Sequence, residues 1–126
     1  VQNAKAPLCY NGDLGSLSQI DAIAKEFPQL SAVMLGRGLV GNPGMLCPGG
    51  TEVKTLEQFH NTLFDSYVEN FGGARNAMFR LKEHWSYMMP HFQQNEKLAK
   101  RLRKTTDQAE FKAITQEIFH TLSWQA

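Results

Sequence analysis

The chain has 126 residues, 42% of them hydrophobic and 20% charged, and a formal net charge of +1 at pH 7. This is the balance of a globular protein with a core to bury, and it excludes a disordered chain. Near-neutral charge also removes any bulk electrostatic argument for nucleic acid, so such an argument must rest on where the charges sit.

No apolar run approaches the roughly 20 residues needed to cross a bilayer. The start VQNAKAPL has neither a Met nor a basic-then-apolar leader, which reads as a processed or cut chain. Cys9 and Cys47 lie far apart without CxxC spacing. They read as reduced, buried, inert thiols in a cytoplasmic protein, not as a disulfide or metal site.

The first predicted element is a buried strand, Pro7 to Tyr10, closed by the turn signal Asn11-Gly12-Asp13. Ser16 then caps a helix, with Gln19 completing a capping box. Ile20, Ile23, Ala24 and Phe27 share one face of that helix, and Pro28 follows its end. A second apolar strand, Ala32 to Leu35, is closed by Gly36-Arg37-Gly38. Strand, helix, strand is the order of a parallel crossover. Strands apolar on both faces require cover on both. Two parallel strands cannot cover themselves, so this half reads as part of something larger.

Pro48-Gly49-Gly50 is the predicted linker, dividing residues 1–50 from 51–126. Beyond it the pattern is helical. Thr55 caps a helix with Gln58 at the reciprocal position and a stripe of Leu56, Phe59, Leu63, Tyr67 and Phe71, stopped by Gly72-Gly73. A helix from Ala74 to Met89 buries Ala77, Met78, Leu81, Trp85 and Met88 before Pro90. A short basic helix from Gln94 to Lys104 turns Leu98 and Leu102 inward. Asp107 and Glu110 open a last helix with the stripe Phe111, Ile114, Ile118 and Leu122. Four amphipathic helices on short loops predict a helical bundle. The fold class is therefore α/β followed by all-α.

Two glycine-containing loops, each directly after an apolar strand, suit a phosphate. Glycine lets the backbone approach and the N–H groups donate. In a (β/α)8 TIM barrel such a site is commonly built after the last two strands. Arg37 adds a planar cation that binds phosphate bidentately. Two ordinary strand-to-helix turns would use the same glycines, and spacing alone does not separate the readings.

Five cations, Lys97, Lys100, Arg101, Arg103 and Lys104, fall within eight residues, with only Glu96 to relieve them. Arg75, Arg80 and Lys82 form a second group near His84, Trp85 and Tyr87. Such runs serve either as solvated faces or as phosphate contacts. Aromatic side chains among cations can stack on unpaired bases, although Trp85 reads first as core. His60, His84, His91 and His120 show no metal-ligand spacing. Trp124 reads as a docking anchor or a frayed end.

The wording of the loops carries more. YNGDLGSLSQIDAI followed by VMLGRGLVGNPGML resembles the end of the barrel in the tRNA-dihydrouridine synthases, where NGD follows the seventh strand and GRG…NP the eighth. FGGARNAMFRLKEHWSYMM is similar to that family's helical C-terminal domain. The resemblance implies the last βαβ portion of an FMN-binding TIM barrel over residues 1–50 and a four-helix tRNA-binding bundle over 51–126. It implies an oxidoreductase that reduces the C5–C6 bond of a uridine in tRNA with NADPH as the ultimate reductant.

Carried over by motif, Asn11, Gly12, Asp13, Gly36, Arg37 and Gly38 are the FMN-binding residues, while Asn42 and Pro43 shape the start of the terminal barrel helix. Arg75, Arg80, Lys82, Lys97, Lys100, Arg101, Arg103 and Lys104 become tRNA contacts. Neither cysteine matches the family's general acid, so no catalytic residue is assigned. The chain alone is expected to be inactive and to hold FMN weakly. A helical tRNA-binding module without enzymatic activity is the alternative.

Overall fold

Residues Cys9–Asn11 (β1) and Ala32–Met34 (β2) pair in parallel, with Cys9 opposite Ala32, Tyr10 opposite Val33 and Asn11 opposite Met34. They belong to a computed structural model that describes residue 3 and residues 5–126. Between them runs α1, Leu17–Glu26. Ser16 caps it, its hydroxyl accepting from the Gln19 amide at 3.3 Å. The return bond of the box goes one residue further back, from the Gly15 amide to the Gln19 side-chain oxygen at 2.6 Å.

The strands are shorter than their apolar runs, and Asn11 belongs to the strand rather than to the turn. The expectation of strands buried on both faces is not met. Only Tyr10 and Val33 are half-buried, and α1 contains no buried residue. Two three-residue strands and one helix offer too little surface to enclose either face. For the same reason Cys9, expected to be a buried thiol, is exposed; Cys47, in the turn after Met45, is exposed too.

Gly36 leads directly into a five-residue helix, α2 (Arg37–Gly41), where the sequence suggested a simple turn. Gly41 is buried against a later helix, α4 (Ala74–Met88), because a Cβ there would overlap the main-chain carbonyl of Tyr87. Asn42 follows α2 and does not start a helix. It is 1% exposed. Its side chain accepts from the Thr51 hydroxyl and donates to the Gly15 carbonyl at 3.5 Å. One buried amide thus ties the loop after β1 to the chain leaving α2.

Helix α3 spans Val53–Asn70 and begins before the expected Thr55 cap, with Glu52 at the N-cap position. The early start brings Val53 against the core. The buried face is Leu56, His60 and Phe64, with Phe59 and Phe71 exposed, so the expected stripe is rotated. Helix α4 buries the five predicted side chains, Ala77, Met78, Leu81, Trp85 and Met88. A 3-10 turn, Met89–His91, follows at Pro90. Helix α5 (Glu96–Lys104) starts late because Gln94 adopts a left-handed φ of 54°, a conformation no helix continues through. Helix α6 (Gln108–Thr121) is capped as expected, Asp107 accepting from the Ala109 amide at 3.1 Å.

Helices α3 to α6 share one core, built from Leu56, Phe64, Met78, Leu81, Trp85, Leu102, Phe111, Ile114 and Ile118 among others. Leu122 is only half-buried at its edge. The C-terminal segment docks on this core. The Gln93 amide donates to the Ser123 carbonyl at 2.8 Å and the Gln125 amide to the His91 carbonyl at 2.6 Å. Trp124 stacks on His91 with centroids 4.7 Å apart, so it is an anchor rather than a frayed end.

His60 is a buried polar residue packed with that core, at 4% exposed. The Trp85 indole N–H donates to its Nε2 at 3.0 Å, leaving Nδ1 as the donor toward Asn61 Oδ1, also 3.0 Å. The ring is therefore held neutral. Burial pushes its pKa below the usual 6.5, outweighing the opposing effects of Asn61 and Glu57. Burial lowers His84 too, against the upward pull of Glu83. In the unfolded chain both histidines protonate near pH 6.5, whereas the fold resists their protonation. Stability from these groups is thus complete above about pH 6.5 and is lost as pH falls below it. Denaturant midpoints should decline between about pH 8 and pH 5.5 in the parent. A His60→Gln variant should show a shallower decline, and equal pH slopes in the two proteins would contradict this assignment.

Candidate functional site

Parallel pairing has a direct consequence for the two glycine loops. Strands running the same way end at the same edge, so Asn11-Gly12-Asp13 and Gly36-Arg37-Gly38 lie side by side. Gly38 is pressed against the first loop so closely that a Cβ would overlap the Leu14 carbonyl. Across this seam Arg37 Nη2 donates to Asp13 Oδ1 at 2.6 Å, both side chains remaining largely exposed. A cleft opens beside them, lined by Asp13, Leu14, Gly15, Arg37, Gly38 and, from α4 and the turn after it, Tyr87 and His91. Gly36 itself faces open space.

The donor set suits a phosphate. Arg37 presents a guanidinium with unused N–H groups, and the first amides of a helix such as α2 have no intrahelical acceptor. Gly12 is less free than its turn signal implies, since the Tyr10 ring lies where its Cβ would project. Asp13 is an anion, unsuited to direct contact with a phosphate, and it pairs with Arg37.

The predicted cations fall into four kinds. Lys97, Lys100, Arg103 and Lys104 are exposed on α5 and form no ion pair among the described residues. Arg101 approaches Glu117 at 3.4 Å. Lys82 is engaged: its ammonium donates to the carbonyls of Thr105 and, at 3.3 Å, Arg103. It thereby caps the C-terminal end of α5, where a cation also suits the helix dipole. Arg75 and Arg80 are exposed on α4 beside Phe79 and Phe71 respectively.

Trp85 is core, at 2% exposed, and does not face solvent with these cations. His84 reaches inward to the Tyr67 hydroxyl at 3.2 Å. The aromatics that do accompany the cations are Phe71 and Phe79, neither of which the sequence pattern placed with them. A helical wheel would have found Phe79: at about 100° per residue it falls outside the stripe that Ala77, Met78, Leu81, Trp85 and Met88 already fill.

Among the described residues no group of three or more His, Cys, Asp or Glu side chains could hold a metal ion, and no helix is long and apolar enough to cross a membrane. A comparison with curated proteins finds no match. A family model described as dihydrouridine synthase (Dus) matches residues 1–123, running through both the strand-containing and the helical part. With nearly its whole length matched, the chain belongs to the dihydrouridine synthase family, oxidoreductases that act on tRNA.

Proposed function

We propose that residues 1–50 form the closing βαβ portion of an FMN-binding TIM barrel and that residues 51–126 form a four-helix tRNA-binding bundle. Together they belong to a cytoplasmic tRNA-dihydrouridine synthase that uses NADPH. The observation that supports this best is the meeting of Arg37 with Asp13 across the ends of two parallel strands. That sets a pre-aimed cation beside a glycine-lined loop pair, as a cofactor phosphate requires. In such an enzyme bound flavin supplies the hydride that reduces the uridine ring.

This chain's own part is binding and positioning. Arg37 and the backbone around Gly36 and Gly38 grip the phosphate end, with Asn11 and Gly12 lining the neighbouring ribityl side. Asp13 orients the guanidinium. Asn42 keeps the two loops in register from behind. Cys9 and Cys47 take no part as general acids.

The cations of α5, with Arg75 and Arg80, face tRNA. Like charges at helical spacing destabilise a helix by about 0.2–0.5 kcal/mol per pair, and Glu96 is the lone acidic residue of α5. An anionic backbone relieves that repulsion by releasing counterions. Reversing Lys97, Lys100 and Arg103 to Glu leaves the Arg101–Glu117 pair intact. The triple variant should bind unmodified tRNA more weakly. It should also flatten the salt dependence, by about one unit of slope for each phosphate that is no longer neutralised. An unchanged slope would return α5 to a solvated face.

A further inference from the structure

Phe79 stands on the solvent side of α4, 40% exposed and outside the core stripe. Arg75 and Lys82 flank it at i−4 and i+3, their cationic centres 5.5 and 5.3 Å from its ring centroid. Phe71 differs. Arg80 sits 4.1 Å over its centroid and the Tyr67 ring meets it edge-on at 5.3 Å, so a guanidinium is packed directly on its face although the residue stays exposed. The cations over Phe79 stand farther off, more than 5 Å from its centroid. Lys82 is fixed there by its bonds to the last turn of α5, which brings the Arg103 main chain alongside.

The result is a partly exposed aromatic ring accompanied by positive charge. A protein partner would ask for a broader apolar patch. A nucleotide asks for this combination, since its base has a π-face and its phosphate a negative charge.

We propose that Phe79 is a stacking platform for an unpaired base of an RNA strand, with Arg75 and Arg103 taking the adjoining phosphates. The inference rests on the RNA-binding reading above and adds to it a preference. In an A-form duplex the faces of the bases are hidden, so the platform serves single-stranded or looped RNA only. Stacking is tolerant of base identity, so it confers affinity rather than sequence choice.

The test uses the 126-residue chain with two probes, a single-stranded oligoribonucleotide carrying one 2-aminopurine and a blunt RNA duplex of equal length. Phe79→Ala should weaken single-strand binding by about 5- to 150-fold, the range expected for loss of one stacked base. Duplex affinity and the salt slope should stay unchanged, and Phe79→Tyr should keep both the affinity and the 2-aminopurine quenching. Unchanged single-strand affinity in Phe79→Ala, with the parent binding normally, would overturn the platform and leave the RNA-binding reading standing. An equal loss on duplex and single strand would overturn it as well. A parent chain that binds neither probe at any salt concentration would instead remove the underlying reading, and the platform with it.

Discussion

Replacing Trp85 with alanine should destabilise the helical part of the chain by about 3–5 kcal/mol, the usual cost of truncating a fully buried Trp. Trp85 lies where several rings converge, with His60, Phe92 and Phe119 at centroid distances of 5.5, 5.8 and 5.2 Å. Its loss removes their packing surface and leaves His60 Nε2 buried without its donor. Trp85→Phe separates the two effects. It keeps most of the ring volume and loses the hydrogen bond, so it should cost about 1–3 kcal/mol, the penalty of an unsatisfied buried acceptor. Urea denaturation of the three proteins measures both steps. An alanine variant within about 1 kcal/mol of the parent would mean that the core does not close around this residue.

The second large effect concerns the seam between the glycine loops. Gly38→Ala places a methyl group into the Leu14 carbonyl, and neither partner is a flexible side-chain end that can swing away. The two loops must part. Overpacking of this kind typically costs about 1–3 kcal/mol. Here the local result matters more, since Leu14 is buried at the seam and Arg37 can no longer reach Asp13. Gly36→Ala is the matched control: nothing lies within 4 Å of its added Cβ, and its φ of −131° is open to any residue. Amide chemical shifts of Asp13, Leu14 and Arg37 should move strongly in the first variant and little in the second. Similar perturbation in both would show that the seam is not held by close backbone approach.

The same two places show what the sequence makes legible. Helix α4 can be read residue by residue, because five apolar side chains at 3.6-residue spacing leave no competing face. Asp107 is legible for a comparable reason: a short acceptor side chain ahead of an apolar run has few other uses. Helix α3 is not. Its core face runs through His60, and a histidine counts as polar until its distant partner Trp85 is known. The late start of α5 is hidden as well, since nothing local foretells that Gln94 takes a left-handed φ while the Asn95 side chain bonds the carbonyls of Met89 and Phe92. At the glycine loops the motif indicates which residues belong together. It does not reveal that Asp13 pairs with Arg37. Among the cations, the engagement of Lys82 is hidden too, because charge counting cannot distinguish a free ammonium from one that closes a helix end.

Gly41 is where α2 rests on the main chain of Tyr87. Phe79 lies eight residues earlier on the same helix, which at 1.5 Å per residue is about 12 Å along its axis. A packed helix neither stretches nor slides by fractions of a turn, so α4 acts as a ruler between the glycine loops and the surface that carries Phe79. Its graduation is the residue. Inserting one alanine between Arg80 and Ser86 would lengthen the span by only about 1.5 Å but turn Phe79 by about 100° relative to Gly41. Length is thus forgiving and phase is not. Substitutions along the exposed side of α4 other than at Arg75, Phe79 and Arg80 should be tolerated where a single insertion or deletion is not.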